Sequence, residues 1–249
     1  MSKKITKKLF NPALYKASDT ISNILAAKPK VGKTHGILLP HGRGAGVSTF
    51  CAFKILQFLA KPSNNKKNVL VMRRFEEDIP YSLFEMFQWC IRHINAQEEF
   101  VAIKHKRSIV CKKNGNSIYF RGYDSLINPQ QAGEVSIVGN VPILFVDDAE
   151  QFEQSELNAL IDANLGGDQV VGGNAVLLLS YSPQSSSHWL NKIVEDYNRK
   201  ILDKTCQVFH SDYTTVPREW LGEAFFENAR RLKETNQKAY ENEYLGLPN

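Results

Sequence analysis

Residues 36–59 read GILLPHGRGAGVSTFCAFKILQFL, and this stretch decides the fold. Gly36–Leu39 is a short apolar run that predicts a buried strand, and the turn that follows, Pro40–Gly46, is too rich in glycine to continue it. From Ser48 to Leu59 the apolar residues recur at helical spacing, which predicts a helix. The stretch therefore predicts a strand, a glycine-rich loop and a helix in immediate succession.

The loop matches in part the phosphate-binding pattern G-x-x-x-x-G-K-[ST]. In that pattern backbone N–H groups and the helix dipole hold phosphates, lysine bridges the outer ones and the hydroxyl binds magnesium. Gly46 and Ser48 fit, whereas His41 replaces the first glycine and Val47 replaces the lysine. On the loop alone, a glycine-rich turn without a ligand is an equally good interpretation. The nucleotide hypothesis assigns the whole loop to binding: His41, Gly42, Arg43, Gly44, Ala45, Gly46, Val47, Ser48 and Thr49.

A second motif favours the nucleotide hypothesis. The near-continuous apolar run Val141–Val146 predicts a buried strand, and it ends in two acids, Asp147 and Asp148. In a Walker B segment of this form the first carboxylate supports magnesium together with Ser48, and the second orients or activates the attacking water. The alternative is an acidic turn after a core strand. The glycine loop upstream favours the nucleotide interpretation.

The rest of the chain alternates apolar strands with amphipathic helices. This alternation predicts a single domain with a mostly parallel sheet covered by helices on both faces. Ligands of such sheets bind at the carboxyl ends of the strands, so the glycine loop, Asp147 and Ser180 should meet at one edge. The other predicted elements are a helix through Leu25, strand Asn68–Met72, a helix from Pro80 to about Ile94 capped by Asp78, hairpin strands Ser108–Cys111 and Ser117–Phe120 around Asn114–Gly115, helix Ser155–Asn164, strand Ala175–Ser180, a helix from Trp189 to about Tyr197, strand Cys206–Phe209, and a helical end Glu219–Tyr244 broken near Asn236.

Composition argues against several classes of protein. Of the 249 residues 43% are hydrophobic and 23% charged, which is typical of a globular protein. No apolar run approaches the ~18 residues of a membrane span, and no apolar stretch follows the basic start, so we expect a soluble, intracellular protein. The cysteines are isolated and the histidines lack ligand spacing, which argues against a disulfide framework or a zinc site.

The net charge of +5 permits a polyanionic partner without requiring one. The densest basic run is Lys3, Lys4, Lys7 and Lys8. Such a run is typical of a solvated chain end, and the alternative is an arm that contacts DNA.

Several segments, taken in order, resemble the large terminase subunits of tailed phages, especially the PBSX-like group. The resemblance covers nearly the whole chain, and its strength is the order and spacing of the segments. They are the Asn11-Pro12 lead-in, the loop Gly42–Ser48, strand Val69–Met72 running into Arg73, the hairpin Ile118–Asp124, the segment Leu179–Pro183 followed by His188-Trp189, and the closing stretches Ser211–Pro217, Leu232–Asn236, Tyr240 and Glu243–Pro248.

The resemblance implies a three-layer α/β P-loop NTPase fold of the RecA/ASCE type, formed by one domain over residues 1–249 with a lead-in over 1–35. It implies ATP and Mg²⁺ as cofactors and a motor that couples ATP hydrolysis to translocation of double-stranded DNA into a procapsid. The implied partners are DNA, a portal protein and a small terminase subunit, with the chain in a homo-oligomeric ring in the host cytoplasm and transiently at the portal. The family's nuclease domain has no counterpart in these residues, so we expect no nuclease activity, and a separate nuclease domain or subunit stays open.

The resemblance also implies roles for individual residues. Asp148 and Arg43 would be catalytic, the latter as a charge stabiliser within the loop, and Ser180 and Ser182 would belong to a coupling segment. The family usually has lysine at the position of Val47. It has glutamate at the position of Asp148 and asparagine at that of Ser182.

These departures bear mainly on hydrolysis. Losing a charge-assisted hydrogen bond costs ~1.5–3 kcal/mol, and misplacing a catalytic group by ~1 Å costs ~10²-fold in rate. Two functions therefore stay open: a slow or partner-dependent ATPase, and a degenerate subunit with a structural or regulatory role in packaging. Arg43, Arg73 and Arg74 are candidates to replace the missing lysine, and the alternative for each is a solvated surface arginine.

Two further points stay open. Asn11 and Pro12 lie where a lead-in could contact adenine, and a plain role at the start of a helix is equally compatible with them. An unrelated P-loop protein, such as a helicase or a transporter ATPase, would leave the His-Trp and Tyr-Leu-Gly segments unexplained. The signature Leu-Ser-Gly-Gly-Gln of transporter ATPases is absent from the sequence.

Overall fold

A computed structural model describes residue 11 and residues 14–27, 33–62, 66–124, 141–165, 173–199 and 205–249. The basic run Lys3–Lys8 and Pro12 lie outside the described residues. So does the segment 125–140 between the hairpin and the acidic strand.

The described residues contain one eight-stranded sheet. Its strands are β1 (Thr34–Pro40), β2 (Asn68–Arg73), β3 (Phe100–Ile103), β4 (Ser108–Cys111), β5 (Ser117–Gly122), β6 (Ile143–Val146), β7 (Ala175–Tyr181) and β8 (Cys206–Val208). They are arranged in the order β3-β4-β5-β2-β6-β7-β1-β8. In this order, every neighbouring pair in the part β5-β2-β6-β7-β1-β8 is parallel, and the pairs that β4 makes with β3 and β5 are antiparallel. The predicted mostly parallel sheet is confirmed.

Helices cover both faces of this sheet. They are α1 (Tyr15–Ala26), α2 (Val47–Leu59), α3 (Leu83–His93), α4 (Gln154–Leu165), α5 (Trp189–Asn198), α6 (Glu223–Thr235) and α7 (Gln237–Glu243). Helices α1, α2 and α3 share one apolar cluster with one face of the strands, and α4 and α5 share a second cluster with the other face. Because both faces are covered, the central strands are buried along nearly their whole length. The three-layer prediction is confirmed.

The strand order places the candidate residues in one row. Strand β7 lies between β1, which leads into the glycine loop, and β6, which leads into Asp147. In the parallel register Val146 is opposite Met72 on one side and Leu179 on the other. The residues that follow, Arg73, Asp147 and Ser180, are therefore neighbours at the carboxyl edge of the sheet.

Two predicted helix starts are wrong. The third helix begins at Leu83 and not at Pro80, because Ser82 has a non-helical backbone (φ −118°, ψ −89°) that separates it from the preceding turn. Asp78 ends a short 3-10 turn and caps no α-helix. The last helical region begins at Glu223 and not at Glu219, because residues 218–220 form another 3-10 turn.

Two predicted turns are confirmed. The helical end of the chain breaks at Asn236, whose side chain accepts a hydrogen bond of 3.0 Å from the N–H of Ala239 and so caps α7. The hairpin between β4 and β5 turns at Gly115, which adopts a positive φ of 71°. A residue with a β-carbon would be strained in that conformation.

Candidate functional site

The glycine loop between β1 and α2 presents unused backbone donors. Gly44 and Gly46 both have positive φ, 79° and 72°, which turns the chain sharply into α2. Within the described part of the chain, no hydrogen bond is formed by the N–H groups of residues 46–49. They lie in sequence at the amino end of α2. Such a row of donors is suited to binding an anion, since the helix dipole adds to it.

The carboxylate of Asp147 is the centre of the site. It is fully buried, and its Oδ1 accepts hydrogen bonds from the hydroxyls of Ser48 (2.7 Å) and Ser180 (2.6 Å). Its Oδ2 accepts from Arg73, at 2.7 Å from Nη2 and 3.1 Å from Nε. The structure thus brings together the loop, the acidic strand and β7, as the edge argument predicts. The roles of Ser48 and Asp147 toward a metal and of Ser180 in coupling stay predictions.

Asp148 lies at the rim of this centre. Its Oδ2 is 2.9 Å from Nη2 of Arg73, and its side chain is 30% exposed. Burial, followed by the charge of Asp147, raises the pKa of Asp148 to about 6. Its backbone is left-handed, with φ 53° and ψ 48°. Aspartate is among the non-glycine residues that adopt this conformation most readily, which is a structural reason for a short acid here.

Glu150 is an acidic residue near the site that sequence reasoning missed. It lies in the 3-10 turn 149–151, and within the described chain its buried Oε2 has no hydrogen-bond partner. Burial raises its pKa to about 7, and the charge of Asp148 adds to the effect. A backbone hydrogen bond from Ser182 opposes it. The only sequence signal was one more acid after Asp147, which does not reveal burial.

Two loop positions depart from the phosphate pattern in different ways. Val47 is 2% exposed and packs in the apolar cluster shared by α1, α2, α3 and the sheet, so its side chain belongs to the core. His41 continues the edge of the sheet through a bridge to Ser211. Burial lowers the pKa of His41, which favours the neutral imidazole at pH 7.

Arg43 is paired with Glu243, which lies near the end of the chain. Its Nη1 is 2.7 Å from Oε1 of Glu243, and its side chain is 65% exposed. Its backbone N–H also donates to the carbonyl of Glu243 at 2.7 Å. The predicted contact of Arg43 with nucleotide stays a prediction, and it requires the guanidinium to leave Glu243.

A cavity of about 490 Å³ opens beside the loop. Its walls combine loop backbone with aromatic side chains from α2, α3 and the segment before α6: Asn11, Gly44, Gly46, Thr49, Phe50, Phe53, Trp89, His93, Val216, Trp220 and Leu221. Asn11 fixes the lead-in to the loop, because its Nδ2 donates to the carbonyl of Ala45 (3.2 Å) and to the hydroxyl of Ser211 (2.7 Å). Thr49 turns its hydroxyl toward Met86 on α3.

The donor set fits magnesium held jointly with phosphates. Across the described ranges no group of three or more His, Cys, Asp or Glu side chains could hold a metal by itself. Mg²⁺ is usually bound by one or two carboxylates together with substrate phosphates and water, which is what Ser48 and Asp147 beside the free N–H groups offer.

Within the same described ranges, no helix is long and apolar enough to cross a membrane.

Comparison with known proteins identifies the family. The family described as phage terminase large subunit matches residues 34–247. The chain belongs to the phage terminase large subunit family. The large terminase subunit of Bacillus phage SPP1 is 28% identical over 214 residues, which is 84% of this chain and 48% of that protein.

Solved terminases share the fold. The large terminase of a thermophilic bacteriophage, in complex with ATP-gamma-S, matches with a TM-score of 0.66 at 14% identity, over 96% of this chain and 52% of that one. The large terminase ATPase domain of Thermus phage P74-26 matches with a TM-score of 0.54 at 11% identity, over 92% of this chain and 97% of that one. The chain therefore spans about half the length of the first solved terminase and of the SPP1 subunit. It also covers nearly the whole of an isolated ATPase domain.

Membership of the terminase family rules out the unrelated helicase and transporter interpretations. It leaves the departures from the family pattern to be explained by the structure. Val47 is accommodated as a core residue and Asp148 by its left-handed backbone. Within the described residues the carbonyl of Ser182 accepts a hydrogen bond of 3.2 Å from Gln184, and the structure gives no explanation for serine at this position.

Proposed function

We propose that this chain is the ATP-binding motor domain of a DNA-packaging terminase, a single domain over residues 1–249. It couples hydrolysis of Mg²⁺-ATP to translocation of double-stranded DNA into a procapsid. The observation that carries the proposal is the row of unused N–H groups at residues 46–49 next to the Ser48–Asp147–Ser180 centre. The complex of the thermophilic bacteriophage terminase with ATP-gamma-S supports it by analogy.

In this proposal each part of the nucleotide has a matching surface. The phosphates lie at the free N–H groups of the loop, and Ser48 and Asp147 support the magnesium ion. The cavity beside Gly46 and Thr49 receives the base, and its aromatic walls provide apolar faces for stacking. Asn11 then contributes both to the base site and, through its hydrogen bond to the carbonyl of Ala45, to the loop.

Asp148 orients the water that attacks the terminal phosphate. Because its pKa is raised to about 6, it is largely ionised at pH 7 and can accept a hydrogen bond from that water. Its short side chain places the carboxylate one methylene farther back than glutamate would. Hydrolysis by the isolated chain is therefore slow, and partners that tighten the site accelerate it.

The proposal extends to a coupling segment and to partners by analogy with the family. The hydroxyl of Ser180 donates a hydrogen bond to Asp147, and Ser182 follows Ser180 by two residues. A change at the nucleotide is therefore transmitted from Asp147 along the end of β7. The expected partners are double-stranded DNA, a portal protein and a small terminase subunit. The assembled form is a homo-oligomeric ring in the host cytoplasm, transiently at the portal.

One alternative function has support in the structure. Val47 is a core residue and contributes no charge to the loop, so the chain can also be interpreted as a hydrolysis-poor subunit with a structural or regulatory role in packaging. Both functions include nucleotide binding. They differ in turnover.

The test is an ATP hydrolysis assay with and without duplex DNA, repeated with the portal protein. We expect slow basal turnover that DNA stimulates and that Asp148→Asn abolishes while the fold and nucleotide binding persist. Tight binding of ATP without turnover, even with DNA and portal present, would establish the hydrolysis-poor alternative in its place.

A further inference from the structure

The loop lacks the lysine that neutralises the outer phosphates, so another cation has to do this if the site binds ATP. The basic side chains near the loop are mostly engaged elsewhere. Lys54 on α2 donates to Ser18 and Ser22 of α1. Arg43 pairs with Glu243.

The two arginines at the end of β2 point to different places. Arg74 donates to the carbonyl of Gln151 (2.6 Å) and pairs with Glu156 on α4 (2.7 Å). Arg73 bonds to Asp147 and Asp148. Arg73 is therefore the arginine of this pair that belongs to the nucleotide site.

The position of Arg73 follows from the register of the sheet. Met72, the residue before Arg73, is paired with Val146, the residue before Asp147. Arg73 and Asp147 therefore lie side by side at the carboxyl ends of the adjacent strands β2 and β6. The guanidinium binds Oδ2 of Asp147, whose other oxygen binds the hydroxyl of Ser48. The guanidinium therefore contacts Asp147 directly and is one carboxylate away from Ser48, and the proposed function assigns both residues to magnesium.

Some of the hydrogen-bond donors on the guanidinium of Arg73 are not used by Asp147 and Asp148. Its hydrogen bonds to Asp147 use Nε and Nη2, its ion pair with Asp148 also uses Nη2, and Nη1 forms no hydrogen bond within the described residues. The side chain is 20% exposed, so it is accessible from the site. Arginine binds phosphate oxygens with two parallel N–H groups, and this geometry suits a terminal phosphate.

We infer that Arg73 takes over the work of the missing lysine: it balances Asp147 and Asp148 in the absence of nucleotide and contacts the outermost phosphate when Mg²⁺-ATP is bound. The inference rests on the proposed nucleotide site. Ser48 and Asp147 would hold a magnesium ion that arrives with the nucleotide, and its charge would weaken the attraction between the carboxylate of Asp147 and the guanidinium of Arg73. Arg73 moves from carboxylate to phosphate without leaving the site.

The test compares the affinities of Mg²⁺-ATPγS and Mg²⁺-ADP for the wild-type chain, Arg73→Met and the matched control Arg74→Met. Arg73→Met should weaken ATPγS binding about 10-fold or more, as expected for a lost charge-assisted hydrogen bond. It should weaken ADP binding clearly less, because ADP lacks the outermost phosphate. Arg74→Met should bind both nucleotides within about 2-fold of wild type, since Arg74 is bonded to α4 and its turn.

The possible results distinguish a failure of the role inferred for Arg73 from a failure of the proposed nucleotide site. Equal losses for ATPγS and ADP in Arg73→Met would show that Arg73 only positions Asp147, and unchanged ATPγS affinity would show that it has no role in binding. Either outcome overturns the inference while the nucleotide site stands. A wild-type chain that binds neither nucleotide would instead refute the proposed function. If Arg73→Met fails to fold by circular dichroism, Arg73→Gln keeps a donor to Asp147 and is judged by the same ratio.

Discussion

The loop around Val47 has a backbone conformation suited to phosphate, but the side chain of Val47 carries no positive charge. The loop has a backbone suited to binding phosphate, with positive φ at Gly44 and Gly46 followed by N–H groups that form no hydrogen bond within the described residues. The side chain that would carry the charge is instead packed in the core at 2% exposure. Binding energy in this loop should therefore come from the backbone, the metal and Arg73.

Val47→Lys should increase the affinity for Mg²⁺-ATPγS by about 10-fold or more, because an ammonium group can form a charge-assisted hydrogen bond to the outer phosphates. Calorimetric titration measures the change. Val47→Met is the control, since it has a similar length, no charge and a side chain that fits an apolar site. Equal affinity of the two variants would contradict an electrostatic deficit at this position.

Residue patterns predict part of the site. Ser48, Asp147 and Ser180 could be placed at one edge because each lies at the end of a strand or a loop of recognisable type. The bonds of Arg73 to both acids depend on β2 lying beside β6, and the sequence does not encode strand order in any local pattern. The unpartnered oxygen of Glu150 depends on burial by distant segments, so it was also unpredictable.

At the scale of elements, α1 and α2 are joined by a buried lysine. Lys54 is 4% exposed, and its ammonium donates to Ser18 (2.9 Å) and Ser22 (2.6 Å) on α1. Burial, with a smaller effect from Lys61, lowers the pKa of Lys54 to about 8. The two helices therefore share a charge that is costly to keep in the core.

The stability of the protein should depend on the titration of Lys54. In the unfolded chain its pKa is the ordinary 10.5, so between pH 8 and 10.5 the unfolded state binds more protons than the folded one. The free energy of unfolding then rises with pH through this window, by about 1–2 kcal/mol between pH 8 and 9.5. Thermal melts of wild type and Lys54→Met at each pH should show wild type gaining stability relative to the variant over this range, because methionine does not titrate. A relative stability that stays constant with pH would argue against the lowered pKa.

The elements with a clear period were predicted well, and short or irregular ones were not. Strand β3 was missed because its four residues, Phe100–Ile103, carry no alternation and are held by pairing to β4. The start of α3 was misplaced because Ser82 breaks the helical backbone where Pro80 suggests a first turn. Both errors come from tertiary context overriding a local signal.

At the scale of the whole molecule, the end of the chain closes against the glycine loop. Gly42 and Gly246 are in contact so tightly that a β-carbon on Gly246 would lie 2.4 Å from the nitrogen of Gly42. The same end also reaches the coupling segment, where Asn242 donates to the carbonyl of Pro183 at 2.7 Å. The glycine loop and the segment that follows β7 are thus linked through residues that lie far from the loop in sequence.

Gly246→Ala should loosen this link. Gly246 has φ +64° and no space for a methyl group, so the substitution should cost about 1–3 kcal/mol in the free energy of unfolding and weaken ATPγS binding as the loop shifts. Thermal melts and calorimetry measure the two effects. Gly222→Ala is the matched control, because Gly222 has φ −71° and nothing within 4 Å of an added carbon. Similar behaviour of both variants would show that the contact has no influence on the loop.

The central claim is that this loop binds ATP although it lacks its lysine, and calorimetric titration of the wild-type chain with Mg²⁺-ATPγS tests it most directly. The account predicts saturable binding of one nucleotide per chain with a Kd below about 1 mM, since the backbone donors, Ser48, Asp147 and Arg73 all remain. An absence of saturable heat at millimolar nucleotide, with the chain folded and magnesium present, would contradict it.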